Sequence, residues 1–168
     1  MTDLTTTEGI REWARSAMQS ARENFAAHGR LQPLVLLLLT ANPETGRPLP
    51  RPGLAIVAPK SFATPRDKEA WAAQARPLAA AGKAIAALTL MEMWLLVGRT
   101  TADLGQSIAA NPRRVERLMA TLERPDTTEV WLAEIERSDN DRATAGDFER
   151  LPVEVGGRFT GLLAEVWS

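Results

Sequence analysis

A long apolar run near the middle of the chain, residues 84–97, constrains the fold more than any other feature. Its sequence, AIAALTLMEMWLLV, is interrupted only by Thr89 and Glu92. A run of this length is too short to span a bilayer as a helix. We therefore predict a strand buried on both faces at the centre of a sheet; the Ala, Leu and Met content leaves a helix as the alternative.

Length and composition indicate one globular domain, residues 1–168. Hydrophobic residues make up 45% of the chain and charged residues 24%, which argues against extended disorder. Cysteine is absent, and this excludes disulfides, thiolate metal sites and cysteine nucleophiles. The N-terminal segment is polar and acidic, unlike a signal peptide, so we expect a cytoplasmic protein without a membrane segment.

Capping signals and periodicity predict a helix and a second central strand in the first quarter of the chain. Thr5 and Glu8 form a potential capping box, an apolar stripe follows over residues 10–25, and Gly29 is placed as a left-handed C-cap. Residues 34–40 are uniformly apolar, as buried strands are.

Prolines and a second capping signal define the next segments. Prolines at 48, 50 and 52 remove backbone donors, so the next strand is predicted only over residues 54–58, antiparallel to the first. Thr64 and Pro65 predict the start of a second helix that continues towards residue 82, with a kink or a break near Pro77.

In the second half we predict short helices at 102–110 and 113–122, a strand at 129–136, and two strands between 148 and 167 joined by a Gly156-Gly157 bend. The predicted class is α+β with the order α-β-β-α-β-(α-α)-β-β-β. Its sheet, mixed or largely antiparallel, has five to six strands covered by the N-terminal helix and a second, Pro-kinked helix.

Charge is distributed unevenly along the chain. Residues 1–124 carry 16 Lys and Arg against 11 Asp and Glu, a net +5, whereas residues 125–168 carry 4 against 10, a net −6. The two regions attract each other, either by packing within one fold or by contact between subunits.

Glu92 is the principal candidate site residue, because a carboxylate in a buried strand must face solvent, pair with an arginine, or have a raised pKa and a task. Trp94 shares its face of the strand. Glu129 or Glu134 could supply a second carboxylate for acid-base chemistry.

Two groups of arginines are further candidates for binding. Arg47 and Arg51 lie on a predicted connection between strands. Arg113, Arg114 and Arg117 cluster on one side of a predicted helix and could meet phosphates, although no aromatic residues interleave with them, so nucleic acid is disfavoured.

The segments PLVLLLLT (residues 33–40), TLMEMWLL (89–96) and RPDTTEVWLAEIE (124–136) resemble a group of small bacterial and prophage-associated proteins of uncharacterised function. In that group an apolar strand, a Glu-x-Trp strand and a Pro-Asp turn before another apolar strand occur in this order. The chain departs from the group in a longer segment between residues 99 and 123. The resemblance supports the strand assignments and implies no activity, cofactor or catalytic residue.

The leading functional hypothesis is a non-catalytic protein that acts through protein contacts, as a homodimer or as a phage or prophage accessory factor bound to another protein. A single histidine, no cysteine and no glycine-rich phosphate loop favour a protein without a cofactor or an imidazole metal site, and five tryptophans offer aromatic surface for a partner. One alternative is a magnesium-dependent hydrolase centred on Glu92. The other is a nucleic-acid accessory protein that uses the arginines at 113, 114 and 117.

Overall fold

The computed structural model of the chain describes residues 2–96, 110–140, 142–152 and 164–167. Two long helices, Thr7–His28 (α1) and Pro65–Ala81 (α2), pack on an antiparallel sheet, and a short helix, Ala164–Trp167 (α3), ends the described chain. The strands are Leu34–Ala41 (β1), Pro48–Val57 (β2), Ala84–Leu95 (β3), Val115–Arg124 (β4), Thr127–Arg137 (β5), Ala143–Ala145 (β6) and Glu149–Arg150 (β7).

The sheet has the strand order β2-β1-β3-β4-β5-β6, and β7 pairs with β5. Every described pair of strands is antiparallel. β3 has β1 on one side and β4 on the other, so the apolar run over residues 84–97 does form the central strand. The α+β class is confirmed.

The two helices cover opposite faces of the sheet. Alternate residues of a strand point to opposite faces, and in β1 Leu36 and Leu38 join the core under α1, whereas Val35, Leu37 and Leu39 join the core under α2. β1 and β3 lie between the two helices and are buried on both faces. This two-sided burial explains why they carry apolar residues at nearly every position.

The cap of α1 lies one residue later than predicted. Thr6, not Thr5, is the N-cap, and its hydroxyl accepts a hydrogen bond from the backbone N–H of Gly9 at 3.0 Å. A Cβ at Gly9 would lie 1.8 Å from the carbonyl oxygen of Asp3, so only glycine allows the N-terminal segment to turn this tightly. Gly29 is the predicted left-handed C-cap, with φ of 71°.

One prediction about prolines is wrong, and another is narrowed. β2 begins at Pro48, not at residue 54, because it is an edge strand and an edge strand needs donors on one side only. The β1–β2 register also shifts between Leu39 and Ala41, which places several residues of the proline-rich segment opposite Thr40. α2 is continuous through Pro77, so a break there is excluded.

The helix predicted at residues 113–122 is wrong, because this segment contains strand β4. Its apolar residues fit a helical stripe, but β4 pairs along its length with β3 and β5. That ladder satisfies the backbone on both sides, and tertiary context therefore overrides the local pattern.

The strand predicted at 129–136 is confirmed as β5, whereas residues 164–167 are helical rather than extended. Residues 102–109 of the helix predicted at 102–110, and the Gly156-Gly157 bend, lie outside the described residues.

The two oppositely charged regions of the chain contact each other within one molecule. Arg11 and Arg124 approach Glu129, Arg22 pairs with Asp147 at 2.7 Å, and Arg117 reaches Glu134. These pairs support packing within one fold as the account of the charge asymmetry. Among the described helices, none has both the length and the apolar character needed to cross a membrane.

Candidate functional site

The most exposed apolar side chains of the described residues lie on edge strand β2. Leu54 is 54% exposed and Ile56 is 62% exposed. They lie opposite Leu38 and Leu36 of β1, and residues directly opposite in an antiparallel pair point to the same face. Leu54 and Ile56 therefore project from the face of the sheet that carries α1.

This exposure follows from where the two helices lie. α1 packs against β3 and β6, towards the far side of the sheet, whereas α2 packs against β1, β2 and β3 on the opposite face. Ala55 and Val57 of β2 thus pack against the core under α2, while neither of the two long described helices covers Leu54 and Ile56. The free edge of β2, which no described strand pairs, lies beside them.

Basic side chains occur on β2 and just beyond its two ends. Arg47, Arg51 and Lys60 are all exposed, and in the described part of the chain none of the three forms an ion pair. We call Leu54, Ile56 and these three cations the β2 surface. Of the predicted arginines, Arg51 therefore lies on the strand that carries this apolar pair and Arg47 directly precedes it, whereas sequence reasoning did not single out Leu54 and Ile56.

Glu92 lies on the face of the sheet that carries α1, away from the β2 surface, and its carboxylate has two partners. One carboxylate oxygen accepts a hydrogen bond from the backbone N–H of Leu31, and the other lies 4.0 Å from the guanidinium of Arg137. The same guanidinium donates towards the carbonyl oxygen of Gly29 at 3.4 Å. Glu92 thus lies within ion-pair distance of an arginine, and its hydrogen bond with Leu31 holds the chain just after α1 against β3.

The carboxylate that shares Arg137 with Glu92 is Glu116, not the predicted Glu129 or Glu134. Arg137 donates to Glu116 at 2.6 Å, and this hydrogen bond is the main reason that the pKa of Glu116 is below its ordinary value. Glu134 points to the other face of the sheet, where it pairs with Arg117. Glu129 lies four residues further along the strands, about 13 Å away in that direction.

Trp94 lies next to Glu92 on the same face, as predicted, and is exposed. Its indole N–H donates to Glu116 at 3.3 Å, and the guanidinium of Arg114 lies 4.9 Å from its ring centre. Among the described residues, no group of three or more His, Asp and Glu side chains could hold a metal ion.

The three predicted phosphate-binding arginines do not form one patch. Arg113 and Arg114 lie in the turn before β4, and Arg114 stacks on Trp94. Arg117 lies within β4 and, by its register with Met93 and Glu134, points to the α2 face. The predicted patch required these residues to form a helix. The strand that forms instead directs Arg117 away from the other two arginines.

Glu129, which sequence reasoning treated only as a possible second acid, is one of two buried carboxylates among the described residues; the other is Glu123. The side chain of Glu129 is 2% exposed and contacts Arg11, Arg124 and Arg150. The hydrogen bond that Arg11 donates to Glu129, followed by the charge of Glu129, raises the pKa of Arg11 above its ordinary value. The available sequence signal is the position of Glu129 three residues after Asp126 of the Pro125-Asp126 turn, at the start of an apolar strand.

Comparison of the chain with family models, with curated proteins and with solved structures finds no match in any of the three.

Proposed function

We propose that the protein is a non-catalytic interaction domain that binds an extended, acidic segment of another protein along the β2 surface. The observation that carries this proposal is the pair Leu54 and Ile56, large apolar side chains exposed beside an unpaired strand edge. An exposed strand edge offers backbone donors and acceptors to a partner strand, and apolar side chains beside it add affinity and register.

Prolines limit where such a partner can pair. Pro48, Pro50 and Pro52 have no backbone N–H, so the donors of β2 are concentrated in the segment from Gly53 to Val57. Leu54 and Ile56 belong to the same segment. The part of the edge that can pair is therefore also the part that carries the apolar pair.

Charge selects among possible partners. Residues 45–66 contain basic side chains, Arg47, Arg51, Lys60 and Arg66, and no Asp or Glu. A second copy that paired antiparallel through β2 would bring like charges together across the new interface, which is unfavourable. A segment that alternates apolar and acidic residues would complement both features, and we therefore favour such a partner over a homodimer.

Selection from a random peptide library displayed on phage tests this proposal. The library is first depleted on the Ile56→Glu variant and then selected on the wild-type protein. We expect the enriched peptides to be acidic and apolar, and their affinity to fall at least about tenfold on Ile56→Glu or Arg51→Glu, which is about 1.4 kcal/mol. Arg142→Glu, an exposed arginine at the far side of the sheet, is the matched control and should bind as the wild type does.

Two results would overturn the proposal. Enrichment of basic peptides, or of none after depletion, would remove the β2 surface as a site for acidic segments. Light scattering after size exclusion that shows a dimer dissociated by Ile56→Glu would assign the same surface to a second copy.

A further inference from the structure

A small pocket lies at the start of β5, away from the β2 surface. Its volume is about 260 Å³. The side chains that concern its chemistry are those of Arg11, Asp126, Thr127, Glu129 and Arg150. α1 supplies Arg11, β7 supplies Arg150, and the β4–β5 turn with the start of β5 supplies the rest. Three elements distant in sequence therefore converge on one cavity.

Glu129 holds the arginines of this pocket in place. Its Oε1 accepts from Arg11 Nη2 at 2.9 Å and from Arg11 Nε at 3.1 Å, and it lies 3.2 Å from Arg150 Nη2. Its Oε2 accepts from Arg11 Nε at 3.3 Å and lies 3.9 Å from Arg124 Nη2. Since both oxygens are engaged, Glu129 orients the guanidinium groups and has little capacity left for a ligand.

Other hydrogen-bond donors at the pocket are available to a ligand. Arg150 is 57% exposed and has a single ion-pair contact, to Glu129, among the described residues. Thr127, which lies on the same face of β5 as Glu129, also lines the pocket, and its hydroxyl has no hydrogen-bond partner in the described part of the chain. Guanidinium groups and hydroxyls placed together are the donors that bind phosphate oxygens.

The charges that line the pocket are balanced, with Arg11 and Arg150 against Glu129 and Asp126. Arg124 does not line the pocket, but it lies 3.9 Å from Glu129 and adds a positive charge behind that carboxylate. Glu8, 3.9 Å from Arg11, forms its closer pair with Arg15 at 2.9 Å. Arg124 also has a buried Nε–H without a partner among the described residues.

We propose that this pocket binds the phosphate group of a small molecule, with Arg150 and Arg11 as its cationic contacts and Thr127 as its hydroxyl donor. The volume is smaller than that of most sites for drug-sized ligands, so it fits a phosphate with a small substituent. This site is independent of the β2 surface, because the two share no residue.

Titration of the full chain with inorganic phosphate, followed by calorimetry and by thermal unfolding, tests this inference. Sodium chloride at matched ionic strength controls for screening, and malonate distinguishes a phosphate site from a carboxylate site. We expect saturable binding of phosphate that raises the midpoint of unfolding, as any ligand of the native state does. Binding of malonate should be weaker by about tenfold or more.

Variants locate the binding. Arg150→Gln should weaken phosphate binding at least about tenfold, and Thr127→Val should weaken it less, because one neutral donor is lost rather than a cation. Arg142→Gln, an exposed arginine outside the pocket, should bind phosphate as the wild type does. Absence of saturation, equal affinity for malonate, or unchanged binding in both pocket variants would overturn the proposal.

Discussion

Glu129 and Glu92 lie on the same face of the sheet, at opposite ends of α1, and they differ in almost every physical respect. Glu129 is 2% exposed and contacts three arginines in the described structure, whereas Glu92 is 31% exposed and lies 4.0 Å from one arginine that it shares with Glu116. In the sequence Glu92 is the more conspicuous, since it interrupts the longest apolar run. The comparison shows that apolar neighbours in the sequence of a strand do not by themselves bury a carboxylate.

Coverage by the helix decides which carboxylate is buried. The first turns of α1 lie over the β4–β5 turn, where Arg11 reaches Glu129 and Thr7 accepts a hydrogen bond from Arg124 at 2.9 Å. α1 ends at His28, and only the chain after it reaches Glu92, through the Leu31 amide. We therefore expect the two carboxylates to contribute very differently to stability.

The largest effect should come from Glu129→Ala. Removing a buried carboxylate leaves Arg124, which is also buried, without its counter-charge, and breaking a buried pair in this way costs about 3–5 kcal/mol. The free energy of unfolding in urea measures the loss. Glu134→Ala, which removes an exposed partner of Arg117, is the control and should cost less than about 1 kcal/mol. Equal losses in both variants would contradict the difference in burial.

An intermediate effect is expected for Glu92→Ala. This substitution removes the acceptor of the Leu31 N–H, and leaving a partly buried donor unpaired costs about 1–3 kcal/mol. Glu92→Gln keeps an acceptor oxygen and should cost less than about 1 kcal/mol, because the ion pair with Arg137 is long and partly exposed. If the Gln variant proves as unstable as the Ala variant in urea, the charge of Glu92 matters more than its hydrogen bond.

A smaller effect should appear with pH at Glu116. Its pKa is below its ordinary value because Arg137 donates a hydrogen bond to it, so folding favours the ionised form. The stabilisation is complete above the ordinary glutamate pKa of about 4.3 and is lost as the pH falls through the lower pKa of the folded state. Urea unfolding between about pH 5 and 3 should therefore show a smaller decrease for Glu116→Gln than for the wild type. Equal decreases in stability for the variant and the wild type would contradict this link between the pKa of Glu116 and folding.

The smallest effect on stability is expected for Arg150→Gln. Arg150 is the most exposed of the three arginines at Glu129, and exposed ion pairs contribute about 0–1 kcal/mol. Arg11 and Arg124 still contact the carboxylate in this variant. A loss comparable to that of Glu129→Ala would show that Arg150 is a structural counter-charge. Thermal unfolding in a phosphate-free buffer separates this effect from ligand binding.

Much of the fold could be predicted from the sequence because local signals were strong and agreed with the tertiary structure. Gly29 ended α1, Thr64 and Pro65 began α2, and the apolar runs at β1 and β3 became central strands. β4 could not be predicted in this way. Its apolar residues satisfy both the helical and the strand period, and only the neighbouring strands β3 and β5 decide between them.

The candidate site was less predictable, since it depends on which part of the sheet a helix leaves uncovered. Arg47 and Arg51 were found because they follow a turn signal. Leu54 and Ile56 were read as ordinary strand residues, and their exposure follows from the distance between β2 and α1 across the sheet. The arginine cluster around Glu129 joins residues more than 100 positions apart, as in the pair Arg11 and Glu129, and no local pattern announces it.

The spacing of the prolines in β2 also bears on how many molecules can associate. An edge that can accept backbone hydrogen bonds over only a few residues gives a short interface, which exchanges its occupant readily and does not propagate into stacked sheets. We therefore expect a one-to-one complex with fast dissociation, and no filament, even at high concentrations of the chain.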